Sequence, residues 1–146
     1  MKFAKLLFAG AIVAAGVAYA EVEATDPNAI ARKALMGVIG KNIGVLDNMA
    51  SGKAAYDAAA ADAAKAAMIE ASAKIEATFK EQGAADPASA AKPEIWTNWD
   101  DFVKKAGALN TAATAMDVAS LETIGAGMGG LGGACKDCHT TYRVAR

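Results

Sequence analysis

The stretch Cys135-Lys136-Asp137-Cys138-His139 contains both cysteines of this 146-residue chain and its single histidine. The spacing C-x-x-C-H is the attachment signature of c-type haem, in which two thiols bond to the porphyrin and the histidine supplies a ligand to the iron. If the segment is helical, Cys135 and Cys138 share one face, and His139 lies one turn from Cys135. A single rigid element then holds the ring at two edges and at its centre.

Other uses of the cysteine pair are open at this point. A redox dithiol of the thioredoxin type is expected beside a βαβ pattern, and no strand pattern is visible in this sequence. A structural disulfide is a further alternative. A zinc site needs about four ligands, whereas the motif offers only three strong ones. The motif therefore favours haem over dithiol chemistry or a directly bound metal ion.

The N-terminus is typical of a secretory signal peptide over residues 1–20. Two lysines precede an apolar run at residues 6–17, which is too short to cross a bilayer comfortably. Small residues at positions 18 and 20 match a cleavage site. We expect export to the periplasm and one mature domain over residues 21–146, with an uncleaved membrane anchor as the alternative.

Cleavage would remove two of the 15 basic residues and none of the 16 acidic ones, so the mature chain would carry a net charge of −3. This balance provides neither the basic footprint of nucleic-acid binding nor a polybasic membrane patch. We therefore expect no nucleic acid and no membrane as partners of the mature chain. We also expect no enzyme, because the only histidine is committed to iron and no Ser/His/Asp arrangement remains.

The composition indicates an all-α protein, since alanine, the best helix former, dominates the 54% hydrophobic fraction and aromatics reach only 6%. Hydrophobic periodicity, capping residues and prolines divide the mature chain into four helices. The predicted helices run from Asp26-Pro27 to about Met49, from about Tyr56 to Gln82 before Gly83, from about Glu94 to Met116, and from about Leu121 to Val144. Three short connections predict an antiparallel up-down-up-down four-helix bundle, with the haem bound near one end.

Six glycines fall between Gly125 and Gly133, inside the last predicted helix. On helix propensity alone this stretch should be a loop. A helix requires compensation from tertiary contacts and from the bound haem. We expect the helix, in which absent side chains let helices and porphyrin approach closely. The alternative is a flexible loop followed by a helix that begins only near Ala134.

An exported chain of four predicted helices with C-x-x-C-H near its C-terminus resembles the class II c-type cytochromes, namely cytochrome c′ and cytochrome c-556. The similarity covers essentially the whole mature chain. It is carried by the ending at residues 135–143, the third-helix start at 92–96, the turn at 52–57 and the first-helix segment at 32–36. The chain departs from many relatives at residues 79–86, where a longer loop that begins with Phe-Pro is common.

The resemblance implies one covalently bound haem c, with Cys135 and Cys138 as attachment points and His139 as the proximal iron ligand. It puts Arg143, one helical turn beyond the histidine, beside the proximal pocket. The alternative for Arg143 is a cation favoured by the helix dipole. The resemblance also implies that Trp96 packs at the haem edge, with an ordinary core aromatic as the alternative.

Arg32 and Met36 are i,i+4 on the first predicted helix, about 6 Å apart along its axis. We expect Arg32 to form charge-assisted bonds to a haem propionate, with a surface ion pair as the alternative. A Met36 thioether on the sixth site would give low-spin His/Met iron with a raised potential, as in cytochrome c-556. If Met36 only packs against the haem, the iron is five-coordinate and high-spin, as in cytochrome c′, and open to NO or CO.

We expect Met36 to ligate, because the Met36–Gly52 stretch is similar to the c-556 group. The sequence therefore predicts a periplasmic monohaem cytochrome that exchanges electrons with periplasmic redox partner proteins. A gas-binding cytochrome is the alternative, and a dithiol oxidoreductase is the remote one. The resemblance also implies a homodimer through the first two helices.

Overall fold

The computed structural model describes residues 23–145, so the predicted signal peptide at residues 1–20 lies outside the described residues. Six helices and no strand occur within residues 23–145. They are α1 (Pro27–Ala50), α2 (Ala58–Ala73), α3 (Ile75–Phe79), α4 (Glu94–Thr97), α5 (Trp99–Ala115) and α6 (Leu121–Tyr142). None of these described helices combines the length and apolarity that a membrane span requires.

Helix α1 begins and ends close to the predicted positions. The Asp26 side chain accepts a hydrogen bond of 2.9 Å from the backbone N–H of Ala29, and Pro27 occupies the first turn. This is the N-cap that an Asp-Pro pair favours. At the other end Gly52 has φ +75°, and its N–H donates to the carbonyl of Met49. A left-handed glycine after the last turn is a common helix stop.

The other three predicted helices differ from the observed ones in their bounds. The second begins at Ala58, is interrupted at Lys74 and ends at Phe79, so that Gly83 lies in the following loop. The third is divided into α4 and α5. The fourth ends at Tyr142, two residues before the predicted end.

The interruption after α2 has a cause in the core. The buried hydroxyl of Ser72 donates to the carbonyl of Met68 at 2.6 Å, and the side-chain amide of Asn110 donates to the carbonyl of Ile69 at 2.9 Å. The N–H of Lys74 turns instead to Ala71 at 3.1 Å, three residues back. Polar side chains that compete for helix carbonyls are known to bend helices, and neither contact is visible in the periodicity.

The glycine-rich part of α6 is helical, as predicted. Ser120 and Thr123 form a reciprocal capping box at its start, and Ile124 and Leu131 are fully buried. A Cβ added at five of the six glycines would meet nothing within 4 Å in the described chain, whereas at Gly127 it would approach Met116 at 3.0 Å. Capping and burial therefore compensate the poor propensity, and close helix contact explains only one of the glycines.

The helices pack as four columns around one core, which confirms the predicted all-α four-helix bundle. Helix α1 packs against α2 and α6, and α5 packs against the same two helices. The short α3 and α4 extend the second and third columns. The largest fully buried side chains are Leu46, Met68, Ile95, Ile124 and Leu131. Every column therefore has two neighbours, as an up-down bundle with short connections requires.

The loop at residues 80–93 is tied to the start of α1. Asp86 accepts hydrogen bonds from the backbone N–H groups of Thr25 and Asp26, at 2.7 and 2.8 Å. Asp26 in turn accepts one of 3.0 Å from the N–H of Ala84. Backbone N–H donors lower the pKa of both carboxyl groups, chiefly the N–H of Ala29 for Asp26 and the N–H of Asp26 for Asp86. The two carboxylates hold the loop against α1.

The other end of the same loop is tied to the end of α6. An isolated antiparallel bridge joins Ala91 to Arg143. The N–H of Lys92 donates to Tyr142 at 3.0 Å, and that of Val144 donates to Ala90 at 2.8 Å. This pairing accounts for the early end of α6, because Arg143 has an extended backbone where it pairs with Ala91. The loop thus connects the first and last columns of the bundle.

A pair of glycine substitutions tests the junction between the loop and α1. Gly83 and Gly52 both have positive φ, but only at Gly83 would a Cβ crowd the Asp26 carboxylate, at 2.5 Å. Gly52→Ala should destabilise the protein by about 1 kcal/mol through the left-handed backbone alone. Gly83→Ala should cost at least about 2 kcal/mol, because it also displaces the α1 cap. Urea unfolding measures both, and equal losses would contradict the contact.

Candidate cofactor site

A cavity of about 440 Å³ lies between α1, α5, α6 and the loop of residues 80–93. Its walls are mainly apolar, with large side chains from three of the columns and small residues from the loop. The large ones are Ile39, Ile43, Phe79, Ile95, Phe102 and Leu109. The cavity is placed toward the end of the bundle where α1 begins and α6 ends. It is an apolar space that the alanine-rich chain leaves unfilled.

The last turns of α6 form one wall of this cavity. Cys135, Cys138 and His139 all line it, and all three are half-buried. They lie within one helix at the predicted spacing, so the structure brings the whole C-x-x-C-H set to the same cavity.

Burial sets the protonation of these three groups. It raises the pKa of the Cys135 thiol, and it raises that of Cys138 to about 11. Burial, followed by the positive charge of Arg143, lowers the pKa of His139. At neutral pH the thiols are therefore protonated, and the imidazole is neutral with a lone pair available for a metal. Reactive dithiols have lowered thiol pKa values, which is the opposite shift.

Helix α1 forms a second wall. Met36 lines the cavity and is half-buried, one turn after Arg32. Gly37 and Gly40 line it as well, and a Cβ at either would meet nothing within 4 Å in the part of the chain that the structure describes. The thioether therefore borders open space, and a flat group has room beside this helix.

Arg32 is buried, with 5% of its surface exposed, and it also lines the cavity. Its two terminal nitrogens donate to the carbonyls of Glu81 and Gln82, at 2.9 and 3.1 Å. The guanidinium lies 5.7 Å from the ring centre of Phe79 and 5.2 Å from that of Trp96, within the range of cation–π attraction. Its Nε–H is buried and has no hydrogen-bond partner among residues 23–145. This Nε–H is therefore available to donate to an anion.

Trp96 lies behind Arg32 and is not one of the cavity-lining residues. Its indole N–H donates to the carbonyl of Phe79 at 2.8 Å, and the ring is half-buried. The structure therefore gives Trp96 contact with the guanidinium of Arg32 and with the end of α3, and its packing at the haem edge stays a prediction.

Arg143 lines the cavity from outside α6. Its backbone is extended, at φ −116° and ψ 135°, because it pairs with Ala91. The side chain is exposed. The prediction that a helix continues through this residue is wrong, yet its charge still acts on His139.

Sequence reasoning missed Lys105, which lines the cavity from α5. Its Nζ lies 2.5 Å from a carboxylate oxygen of Asp137, inside the C-x-x-C-H motif. A signal was present, because Lys105 lies three residues after Phe102 and four before Leu109, both buried. A lysine at a core-facing position of a helix is unusual and deserved a functional interpretation.

These residues fit a covalently bound porphyrin. The cavity offers two thiols and a neutral imidazole on one wall, a thioether on another, and apolar surface between them. The orphaned Nε–H of Arg32 is a buried donor suited to a carboxylate of the ring. The donor set therefore suits a haem of the c type.

Comparisons with known proteins agree with this geometry. The family model described as Cytochrome C′ matches residues 28–143. The chain is 40% identical to cytochrome c-556 of Agrobacterium fabrum over 146 residues, covering 96% of this chain and 89% of the relative. The structure of cytochrome c′ from Rhodopseudomonas palustris superposes with a TM-score of 0.75 at 29% identity, covering 82% and 97% of the two chains. A ferrous, NO-bound variant of cytochrome c′ from Alcaligenes xylosoxidans gives 0.71 at 25% identity, covering 82% and 94%.

Replacement of Arg32 tests its role in holding the loop. Arg32→Met should destabilise the protein by about 2 kcal/mol, because two carbonyls lose a charged donor. Arg32→Lys should recover part of this loss, since an ammonium does not reproduce the planar fork. Lys41→Met, an exposed position on the same helix, is the control and should change little. Urea unfolding in which Arg32→Met behaves like Lys41→Met would refute the role.

Proposed function

Because this chain belongs to the cytochrome c′ family, we propose that it is a periplasmic electron carrier in which His139 and Met36 hold the iron of its haem c. The haem c of this family is covalently attached, and its iron supplies one-electron chemistry. One observation carries the proposal: Cys135, Cys138 and His139 from α6 and Met36 from α1 line the same cavity. Residues from two helices that line one cavity suit an iron that is bound from both faces of its porphyrin.

The protonation of the attachment wall favours this function over dithiol chemistry. A dithiol oxidoreductase requires a thiolate near neutral pH, and burial moves the pKa of both thiols the other way. The lowered pKa of His139 favours a metal ligand, because a neutral imidazole binds a metal without first losing a proton. We therefore assign Cys135 and Cys138 to covalent attachment and His139 to the proximal position.

Met36 decides between the two kinds of cytochrome in the family. Ligation by its thioether gives a six-coordinate iron suited to electron transfer. Support comes from its position on the cavity wall and from the 40% identical cytochrome c-556. The alternative is a five-coordinate iron open to NO or CO, and its support is the NO-bound structural neighbour. We favour ligation, because Met36 lines the same cavity as His139 and because a relative at 40% identity is a cytochrome c-556.

The remaining parts of the proposal concern location and partners. Export through the segment at residues 1–20 would place the mature protein in the periplasm, where its redox partner proteins would exchange electrons with the haem. We propose no turnover of its own. Self-association through α1 and α2 is consistent with two large apolar side chains, Ile30 and Val38, that are nearly half exposed on α1.

Absorption spectra of the oxidised and reduced holoprotein test the sixth ligand. The wild type should be low-spin, and Met36→Ala should convert it to a high-spin form that binds CO, because the thioether is lost. Met128→Ala is the matched control: Met128 is half-buried on α6, outside the cavity lining, and its loss should leave the spectrum unchanged. A high-spin wild type would support the five-coordinate alternative instead, and a spectrum insensitive to Met36→Ala would exclude Met36 as the sixth ligand.

Mass spectrometry tests attachment and export together. Protein recovered from the periplasmic fraction should have the mass of residues 21–146 plus one haem, and acid–acetone extraction should leave the haem on the chain. Cys135→Ala should leave a single thioether and a less stable adduct. A colourless protein, or haem that is extracted from the wild type, would contradict the proposed function.

A further inference from the structure

Two polar contacts join α5 to α6 beside the turn that carries the cysteine pair and the histidine. Lys105 Nζ lies 2.5 Å from Asp137 Oδ2. One turn earlier on α5, Asp101 accepts a hydrogen bond of 2.6 Å from the hydroxyl of Tyr142. The residues on α6 stand on either side of Cys138-His139, so the two contacts hold this turn against α5.

The two members of the Lys105–Asp137 pair differ in their position relative to the cavity. The lysine side chain is 20% exposed and lines the cavity, whereas the Asp137 side chain is 65% exposed and is not part of the lining. The cation therefore lies on the cavity side and the carboxylate on the solvent side. Water and salt screen an exposed charge far more than a half-buried one. The pair consequently acts on the cavity as a net positive charge.

The groups around the lysine agree with this assignment. The Lys105 ammonium donates to the Asp137 carboxylate, so Asp137 fixes the position of the ammonium at the edge of the cavity. Asp101 also attracts Lys105, but its carboxylate accepts the Tyr142 hydroxyl at the same time. Residues described as lining the cavity include four permanent cations, Arg32, Lys33, Lys105 and Arg143, and no carboxylate.

We propose that Lys105 holds a positive charge against the attachment side of the haem and thereby favours the ferrous state, while Asp137 determines where that charge lies. The inference rests on the proposed function. One electron converts ferric to ferrous iron, no bond breaks, and the charge of the haem falls by one. A nearby fixed cation stabilises the state with the lower positive charge.

Potentiometric titration of the intact holoprotein tests the inference. Lys105→Met should lower the equilibrium constant for reduction by about threefold to tenfold, as expected for loss of a unit charge at the cavity edge. Asp137→Asn should raise it by a smaller factor, because the carboxylate is screened by solvent. Lys105→Arg should stay near the wild-type value. Lys104→Met removes the neighbouring exposed lysine on α5 and should cause a shift that disappears in high salt.

The opposite signs separate an electrostatic role from a structural one. If Lys105 and Asp137 only held α5 against α6, both Lys105→Met and Asp137→Asn would shift the reduction potential in the same direction, and that result would overturn the inference. A reduction potential of Lys105→Met equal to that of the wild type would overturn it as well. If Lys105→Met yields no holoprotein, Asp137→Asn alone decides: a raised potential supports the inference, and an unchanged or lowered one overturns it. A protein without a reversible one-electron haem couple would overturn the proposed function as well.

Discussion

The cofactor site depends on the helical continuity of α6 through its glycine-rich middle. The helix over Leu121–Tyr142 brings Cys135, Cys138 and His139 to the same cavity wall. Glycine opposes this at up to about 1 kcal/mol per residue relative to alanine. A capping box at Ser120 and two fully buried side chains, Ile124 and Leu131, hold the helix in place. The stability of the attachment wall thus comes from the far end of the helix and from the core.

The loop at residues 80–93 relates the attachment wall to the opposite one. Asp86 binds the start of α1, and Ala91 pairs with the end of α6. Arg32 adds a third tie, because its two terminal nitrogens donate to loop carbonyls, while its Nε–H has no partner among residues 23–145. A single segment therefore contacts both α1 and α6, the two helices whose residues Met36 and His139 line the cavity.

Sequence reasoning reached the columns of the bundle and the attachment wall because both depend on local signals. Each of these signals comes from residues that are close together in the sequence. They are the Asp-Pro pair at the start of α1, the periodic apolar residues and the C-x-x-C-H spacing. The break at Lys74 escaped it, since Asn110 and Ser72 belong to different helices and meet only in the fold. The same limit applies to Arg32, whose carbonyl partners lie 49 and 50 residues away. Lys105 was missed for a different reason. Its core-facing position could be predicted from the sequence, but its partner Asp137 was taken only as a variable position of the C-x-x-C-H motif.

In the proposed function, the attachment residues and the proximal His139 lie on α6 and the sixth ligand Met36 lies on α1, and this division has a consequence. The α6 wall holds thiols and imidazole whatever residue α1 presents, because its position depends on contacts with α5 and with the loop. The α1 wall is held by the Asp26 cap and by the contacts of Arg32 with the loop. Under the proposed function, a change at position 36 should therefore alter the sixth site without disturbing attachment. The relatives agree with such a division, since the same fold is found in proteins named cytochrome c-556 and cytochrome c′. Under the proposed function, the fold provides the haem site, and Met36 on α1 determines whether the iron only carries electrons or also admits a gas.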